Sequence, residues 1–86
     1  MKKVKAFYLE NCPHCKRAIK MVEVLKEKNP RYSNIEIEYI EESRDVQAAS
    51  SHDYYYVPTF YVDGAKVHEG VPSFEKIEEV LKKTIS

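Results

Sequence analysis

The first part of the chain carries two patterns of apolar and charged residues, one typical of a strand and the next of a helix. In residues 3–9 the side chains alternate as in a short strand, with Val4, Ala6 and Tyr8 set against Lys5 and Phe7. From Pro13 to Lys28, apolar residues recur instead at helical spacing. Proline suits the first helical turn because its missing N–H would have no partner there. Asn29-Pro30 predicts the end of this helix.

The middle of the chain predicts a strand, a short helix and a hairpin. Residues 34–40 alternate isoleucine and tyrosine against glutamate, which indicates a second strand. Ser43 is a plausible N-cap for a short helix that ends near residue 51. Two further short strands, at 59–62 and 66–69, are separated by Asp63-Gly64, a strong hairpin signal because glycine tolerates a positive φ.

The last segment predicts a helix that begins after Ser73 and carries an apolar stripe of Phe74, Ile77, Val80, Leu81 and Ile85. The order of elements is therefore β-α-β-α-β-β-α. A helix between the first two strands implies a right-handed crossover and a parallel pair. The closing hairpin must then add antiparallel strands. We predict an α/β domain spanning residues 1–86, with three helices on both faces of a four-stranded mixed sheet.

Length and charge narrow the classes of partner. A chain of 86 residues has room for one domain. Lys plus Arg and Asp plus Glu both total 14, so no net charge attracts nucleic acid or an anionic membrane. The longest near-apolar stretch, at 6–9, is far too short to span a bilayer, and no apolar signal region follows the first lysines. We therefore expect a cytoplasmic protein with no nucleic-acid or membrane partner, acting as a monomer.

The two cysteines carry the candidate chemistry. A reducing cytoplasm favours transient or catalytic use of Cys12 and Cys15 over a structural disulfide. Positions i and i+3 are neighbours on a helix, so these thiols can close into a disulfide and reopen with little backbone movement. The free N–H groups and positive dipole of the first turn favour a thiolate at Cys12. Cys12 is therefore the predicted nucleophile and Cys15 the buried resolving thiol.

His14 lies between the cysteines and is predicted to tune them. As a cation or a hydrogen-bond donor it would stabilise the Cys12 thiolate, and so the reduced form, which makes the disulfide more oxidising. Lys16 and Arg17 add positive field, which solvent screens if these side chains are exposed.

Two other uses of the cysteines have less support. Half of a zinc site would need two more ligands, and His52 and His68 show no paired ligand spacing. Each of these histidines is more typical of a solvated surface residue. A structural disulfide across so short a loop would gain little chain entropy. We therefore predict no metal ligand and no bound cofactor.

A second motif, Val57-Pro58-Thr59, opens the third strand. Proline cannot donate to a strand ladder, so by itself Pro58 is also consistent with a plain strand start. Together, Phe7-Tyr8-Leu9 before Cys-Pro-His-Cys and Val-Pro-Thr-Phe before a hairpin resemble the glutaredoxin/thioredoxin superfamily over essentially the whole chain. The resemblance implies the thioredoxin fold and a cis Pro58 facing the cysteines. It also implies that Val57 offers backbone groups to an extended substrate segment.

Three consecutive tyrosines, at positions 54–56, lead into this second motif. They cannot all point inward, so some rings are expected to edge the groove beside the cysteines. Which of them do so stays open. Tyr56 occupies the first position of the Thr-Val-Pro motif of glutaredoxins, and it is counted with Pro13, Val57 and Pro58 as a predicted substrate-binding residue.

The residues that distinguish the glutaredoxin and thioredoxin branches of the superfamily do not all agree. The short chain and the proline directly after Cys12 resemble glutaredoxins. Ala6 stands where thioredoxins carry a buried acid, six residues before the first cysteine. Glu10 replaces the usual glutaredoxin lysine, and residues 69–73 replace the segment that grips glutathione. Because Glu10 would repel the carboxylates of glutathione, that thiol is disfavoured as the reductant.

The predicted function is thiol–disulfide oxidoreductase, in which a Cys12/Cys15 relay reduces disulfide-containing proteins. Electrons would come from a thioredoxin-reductase-like enzyme or from glutathione. A disulfide oxidant or isomerase of higher potential, suggested by His14, is one alternative. A non-enzymatic metal or iron–sulfur carrier, using Cys12 with ligands from outside, is another.

Overall fold

A computed structural model describes all residues from 1 to 86 and contains one four-stranded sheet. The elements are β1 (Val4–Tyr8), α1 (Pro13–Lys28), a 3-10 turn (Pro30–Tyr32), β2 (Ile37–Glu41), α2 (Val46–Ser50), β3 (Thr59–Val62), β4 (Ala65–Glu69) and α3 (Phe74–Ile85). The strand order is β2-β1-β3-β4, with β1 parallel to β2 and antiparallel to β3, and β3 antiparallel to β4. The mixed sheet and the order of elements are as predicted. None of the helices has the length and apolar character needed to cross a membrane.

The sheet is covered on both faces. Helices α1 and α3 close the larger core on one face, which includes Val4, Ala6 and the buried stripe of α3. A smaller core of Phe7, Ile40 and Tyr61 lies on the other face, under the alanines of α2. Phe7 is fully buried there, so β1 contributes buried side chains to both faces of the sheet. The two-residue period places Phe7 opposite Val4 and Ala6, on a face that is also covered.

Helix α2 begins later than predicted. Its N-cap is Asp45, whose side chain accepts a hydrogen bond from the Ala48 N–H (3.1 Å). Ser43, the predicted cap, instead donates its hydroxyl and its backbone N–H to Glu41. The prediction was wrong because the buried Glu41 carboxylate competes for Ser43 and leaves the cap position to Asp45.

The second strand is also shorter than the alternating pattern indicated. It begins at Ile37, and Ile35 is buried ahead of it in the segment that leaves the 3-10 turn. The Ile35 N–H donates to the Tyr32 carbonyl (3.1 Å), which curls this segment against the core. Tyr32 is itself buried and donates its hydroxyl to Glu78 of α3 (2.8 Å). Burial of Ile35 therefore comes from this turn rather than from the sheet.

The two histidines outside the motif are not solvated surface residues, contrary to expectation. His68 is only 6% exposed on β4, and its Nε2–H donates to the Gly70 carbonyl (2.8 Å). Burial is the main cause that lowers its pKa. His52 is half-buried, with its ring 4.6 Å from that of Phe7 and its Nδ1–H donated to the Ala48 carbonyl (2.8 Å). Both rings have polar partners that a one-dimensional pattern does not reveal.

Candidate functional site

Cys12 and Cys15 lie at the start of α1, in the geometry of a helix N-terminus. Cys12 is the N-cap, with an extended backbone, and its Sγ accepts a hydrogen bond from the Cys15 N–H (3.4 Å). Pro13 occupies the first helical turn, as expected, and its ring is exposed. Both cysteines are free thiols in this structure. The backbone donor directed at Cys12 is of the kind that stabilises a thiolate.

The two sulfurs differ in their access to solvent. Cys12 is partly exposed, whereas Cys15 is fully buried behind it. Burial, followed by the contact with Cys12, raises the pKa of Cys15 to about 12. Cys15 is therefore protonated at neutral pH, and only Cys12 can be reached by a partner.

His14 is exposed beside Cys12, with its ring turned to the next helical turn. Arg17 donates from Nη1 to His14 Nδ1 (2.9 Å). Because a guanidinium can only donate, Nδ1 carries no proton in this contact. A cationic His14 would have to give up this bond. The predicted tuning of Cys12 by His14 stays a prediction.

The Val57-Pro58 peptide bond is cis, and Pro58 is buried. Phe7 pairs with Thr59 in the sheet, so the start of β3 lies beside the end of β1 and the loop that leads to Cys12. The Gly70 N–H donates to the Pro58 carbonyl (2.9 Å) and ties this segment to the end of β4. Val57 itself packs against the smaller core.

A surface groove of about 390 Å³ connects the two motifs. It is lined by His14 from α1, by Tyr56 and Val57, and by Glu69, Gly70 and Val71 after the hairpin. Two of its six lining residues are both apolar and exposed, since Val71 and Tyr56 are 55% and 70% exposed. His14 brings the cysteine motif to this groove, whereas Cys12 itself lines a separate cavity of about 400 Å³ with Glu10 and Glu41.

The structure separates the three tyrosines. Tyr54 stacks on Phe7, with ring centroids 5.1 Å apart, and donates its hydroxyl to Glu42 (2.6 Å). Tyr55 is 88% exposed, and Tyr56 lies in the groove wall. Tyr54 therefore belongs to the smaller core, and Tyr56 is the one that edges the groove.

Two carboxylates that no motif singled out hold the loops around the cysteines. Glu41, at the end of β2, is 8% exposed and accepts from the Glu10 N–H (3.0 Å) and from Ser43. Its bond to the Ser43 hydroxyl is the main cause that lowers its pKa. Glu69, at the end of β4, accepts from the Tyr55 and Tyr56 N–H groups. A carboxylate at the last position of an edge strand, next to a loop, is the only sequence signal that could have indicated them.

The residues described show no group of three or more histidine, cysteine or acidic side chains arranged to hold a metal ion.

Comparisons with known proteins place the chain in a family. The family model described as a thioredoxin domain matches residues 2–82, so the chain belongs to the thioredoxin domain family. A thioredoxin from Methanocaldococcus jannaschii is 31% identical over 83 residues, which covers 96% of this chain and 95% of that protein. The superfamily predicted from the two motifs is confirmed, and this relative is a thioredoxin.

Solved structures support the same fold. The oxidised thioredoxin from Plasmodium falciparum superposes with a TM-score of 0.72 at 18% identity, covering 99% of this chain and 82% of that one. A mutant thioredoxin from Halobacterium salinarum gives a TM-score of 0.70 at 21% identity, over 99% of this chain and 75% of that one. The protein is thus a thioredoxin-like thiol–disulfide oxidoreductase, and its two neighbouring cysteines fit a dithiol relay.

Proposed function

We propose that the protein is a dithiol reductase of protein disulfides, in which Cys12 attacks and Cys15 resolves. The observation that carries this proposal is the asymmetry of the two sulfurs. Cys12 is reachable and accepts a backbone N–H, while Cys15 is fully buried and has its pKa raised to about 12. A nucleophile needs access and a stabilised thiolate, whereas a resolving thiol has to stay protonated until the first step is complete.

The reaction balances over two steps. The Cys12 thiolate attacks one sulfur of the substrate disulfide, and the other sulfur leaves as a thiolate that takes a proton from water. The Cys15 thiol then loses its proton and attacks Cys12 Sγ, which releases the second substrate sulfur. Two electrons pass from the protein to the substrate, and a Cys12–Cys15 disulfide remains. An external dithiol or flavoenzyme must reduce that disulfide before the next cycle.

The groove that begins at His14 of the cysteine motif supports a polypeptide as the substrate. The exposed apolar side chains of Tyr56 and Val71 on its wall suit an extended segment of a partner rather than a small charged thiol. In this proposal Pro13, Tyr56, Val57 and Pro58 contact the segment that carries the target disulfide. The backbone of Val57 would pair with it, and the ring of Tyr56 would cover one side.

We propose a thioredoxin-reductase-like enzyme as the electron donor, in a reducing compartment such as the cytoplasm. Glu10 forms an ion pair with Arg44 (2.6 Å), which offsets the repulsion expected between Glu10 and glutathione. Both side chains are more than 60% exposed, so the pair is weak and offsets only a small part of that repulsion. Glutathione is therefore the less favoured donor.

Trapping tests the order of attack. In a Cys15→Ser variant the mixed disulfide between Cys12 and a protein substrate should accumulate, and dithiothreitol should release it. The Cys12→Ser variant is the control and should form no adduct. An adduct on Cys15, or rapid and complete turnover by Cys15→Ser, would contradict the two-thiol scheme.

The donor is tested with the oxidised wild-type protein. NADPH with a thioredoxin reductase is compared with NADPH, glutathione and glutathione reductase at equal flux capacity. Faster reduction by the first system supports the proposed donor. Equal or faster reduction by the glutathione system would assign the protein to glutathione instead.

A further inference from the structure

The carboxylate of Glu69 lies among three donors at the end of β4. Its Oε2 accepts from the backbone N–H groups of Tyr55 (2.5 Å) and Tyr56 (2.9 Å). Its Oε1 accepts from Lys66 Nζ (2.7 Å). The bond to Lys66, followed by the two backbone bonds, lowers the pKa of Glu69 to about 2. The side chain is therefore a carboxylate at every pH at which the protein would work.

The segment that Glu69 holds has few other means of keeping its shape. Residues 53–58 form neither helix nor strand, and the side chains of Tyr55 and Tyr56 are 88% and 70% exposed. Side chains so exposed cannot fix the backbone to which they belong. The other ties are the Tyr54 side chain, which stacks on Phe7 and donates to Glu42, and the bonds from Tyr61 to the Asp53 carbonyl and from Thr59 to the Tyr56 carbonyl. The backbone N–H groups of Tyr55 and Tyr56 are held by Glu69 alone.

The same carboxylate forms part of the groove wall. Glu69 lines the groove with Tyr56 and Val57, opposite His14. Lys66 compensates its charge and also donates to the Asp53 carbonyl (3.2 Å), so the β4 side chains hold the segment at two points. A bond from a charged acceptor is stronger than one between neutral groups. The contact thus ties the segment before Val57 to the end of β4.

We infer that Glu69 is a positioning residue for substrate binding. It fixes the Tyr55–Tyr56 backbone so that Val57 and the ring of Tyr56 present a preformed surface to a protein disulfide. The inference rests on the proposed function and deepens it, because it names what prepares the groove for a polypeptide. Glu69 touches neither sulfur, so its loss should weaken protein binding and leave the reactivity of Cys12 unchanged.

Kinetics with two substrates test this role. Glu69→Gln keeps the size of the side chain but turns an amide toward Lys66 and cannot serve all three donors. With insulin as the disulfide substrate, KM should rise about tenfold, equivalent to about 1.4 kcal/mol, while kcat stays within about twofold. With the small disulfide 5,5′-dithiobis(2-nitrobenzoate), the rate should stay at the wild-type value. Glu36→Gln, an exposed carboxylate ahead of β2, is the matched control.

Each result bears on one proposal. An unchanged KM for insulin in Glu69→Gln, or an equal loss with both substrates, would overturn the positioning role. Failure of the wild-type protein to reduce insulin, with a normal rate on the small disulfide, would instead overturn the proposed protein-disulfide substrate.

Amide hydrogen exchange in the wild-type protein tests the contact even if the variant does not fold. The Tyr55 and Tyr56 amides should exchange slowly despite their exposed side chains, because both N–H groups are bonded to Glu69. Lys66→Met removes the charge partner without altering the acceptor, and it should speed up exchange at both amides. Unprotected exchange at both positions in the wild type would contradict the inference directly.

Discussion

The two faces of the sheet are filled in different ways. The face under α1 and α3 encloses eleven buried residues, nearly all aliphatic, in one continuous cluster. The face under α2 encloses three, and two of these, Phe7 and Tyr61, are aromatic. Tyr61 and the neighbouring Tyr54 and His52 combine ring packing with hydrogen bonds to nearby chain segments. The aliphatic core therefore supplies stability, and the aromatic core also holds the segment that forms the groove.

The largest effect is expected from truncating the aliphatic core. Leu81→Ala removes a fully buried side chain of α3 and should lower the free energy of unfolding by about 3 kcal/mol. The KM for insulin should not change at a temperature where the variant is folded, because α3 packs away from the groove segment. Urea unfolding measures the first quantity and steady-state kinetics the second. Glu79→Ala, exposed on the same helix, is the control. A raised KM in Leu81→Ala would remove the distinction between the two cores.

A smaller loss of stability, this time accompanied by a change in KM, is expected in the aromatic core. Tyr54→Phe keeps the ring on Phe7 but removes the hydroxyl bond to Glu42, which should cost about 1 kcal/mol of stability. Loosening of the groove segment should also raise KM for insulin about threefold. Tyr39→Phe, whose hydroxyl has no bonded partner, should change neither. Stability loss without a change in KM would show that Tyr54 only packs.

A pH effect is expected from the histidine on the aliphatic face. His68 pairs with Phe60 across β3 and β4, and burial lowers its pKa, although the bond to the Gly70 carbonyl acts in the other direction. Near pH 6.5, His68 therefore binds a proton in the unfolded chain but not in the folded chain. The free energy of unfolding should have its full value above that pH. It should fall as the pH decreases through and below it, by no more than about 1.4 kcal/mol per pH unit. Denaturant midpoints from pH 7.5 to 5.5 measure this fall. His68→Gln, which can still donate to Gly70, should have a flatter profile, and an identical slope would exclude His68 as the cause.

The smallest effect is expected at His14, which lies outside both cores. If His14 stabilises the Cys12 thiolate, His14→Tyr should lower the reduction potential of the disulfide by up to about 10 mV, equivalent to about 0.5 kcal/mol. In this structure the His14 ring accepts a hydrogen bond from Arg17, so Arg17→Met is the second variant to measure. This variant leaves the His14 ring free to act on Cys12, and it should raise the reduction potential. Titration against glutathione redox buffers measures both variants. A potential unchanged in both would leave the cysteines without tuning from His14.

The sequence predicted the helices, the strands and the motif residues, which depend on neighbouring positions. It did not predict the residues whose role depends on contacts distant along the chain. The bounds of α1 and β3 and the buried stripe of α3 follow from periodicity and from proline and serine signals. Cys12, Cys15 and Pro58 likewise stand in short motifs. Glu69 bonds to residues 13 and 14 positions away, and Glu41 to one 31 positions away, so no spacing along the chain reveals them. His68 was misassigned because a four-residue strand pattern does not tell which face is covered.

The aromatic composition of the chain means that tyrosine fluorescence can report on the groove. The chain has seven tyrosines and no tryptophan, so its intrinsic emission comes from phenol rings alone. Tyr56 lies in the groove wall with its ring largely in water, while Tyr32 and Tyr61 are buried and hydrogen-bonded. A partner that covers the groove would change the surroundings of Tyr56 far more than those of the buried rings. Docking of a tyrosine-free and tryptophan-free peptide could thus be followed by ultraviolet fluorescence, with Tyr56→Leu as the silent reference and no attached dye.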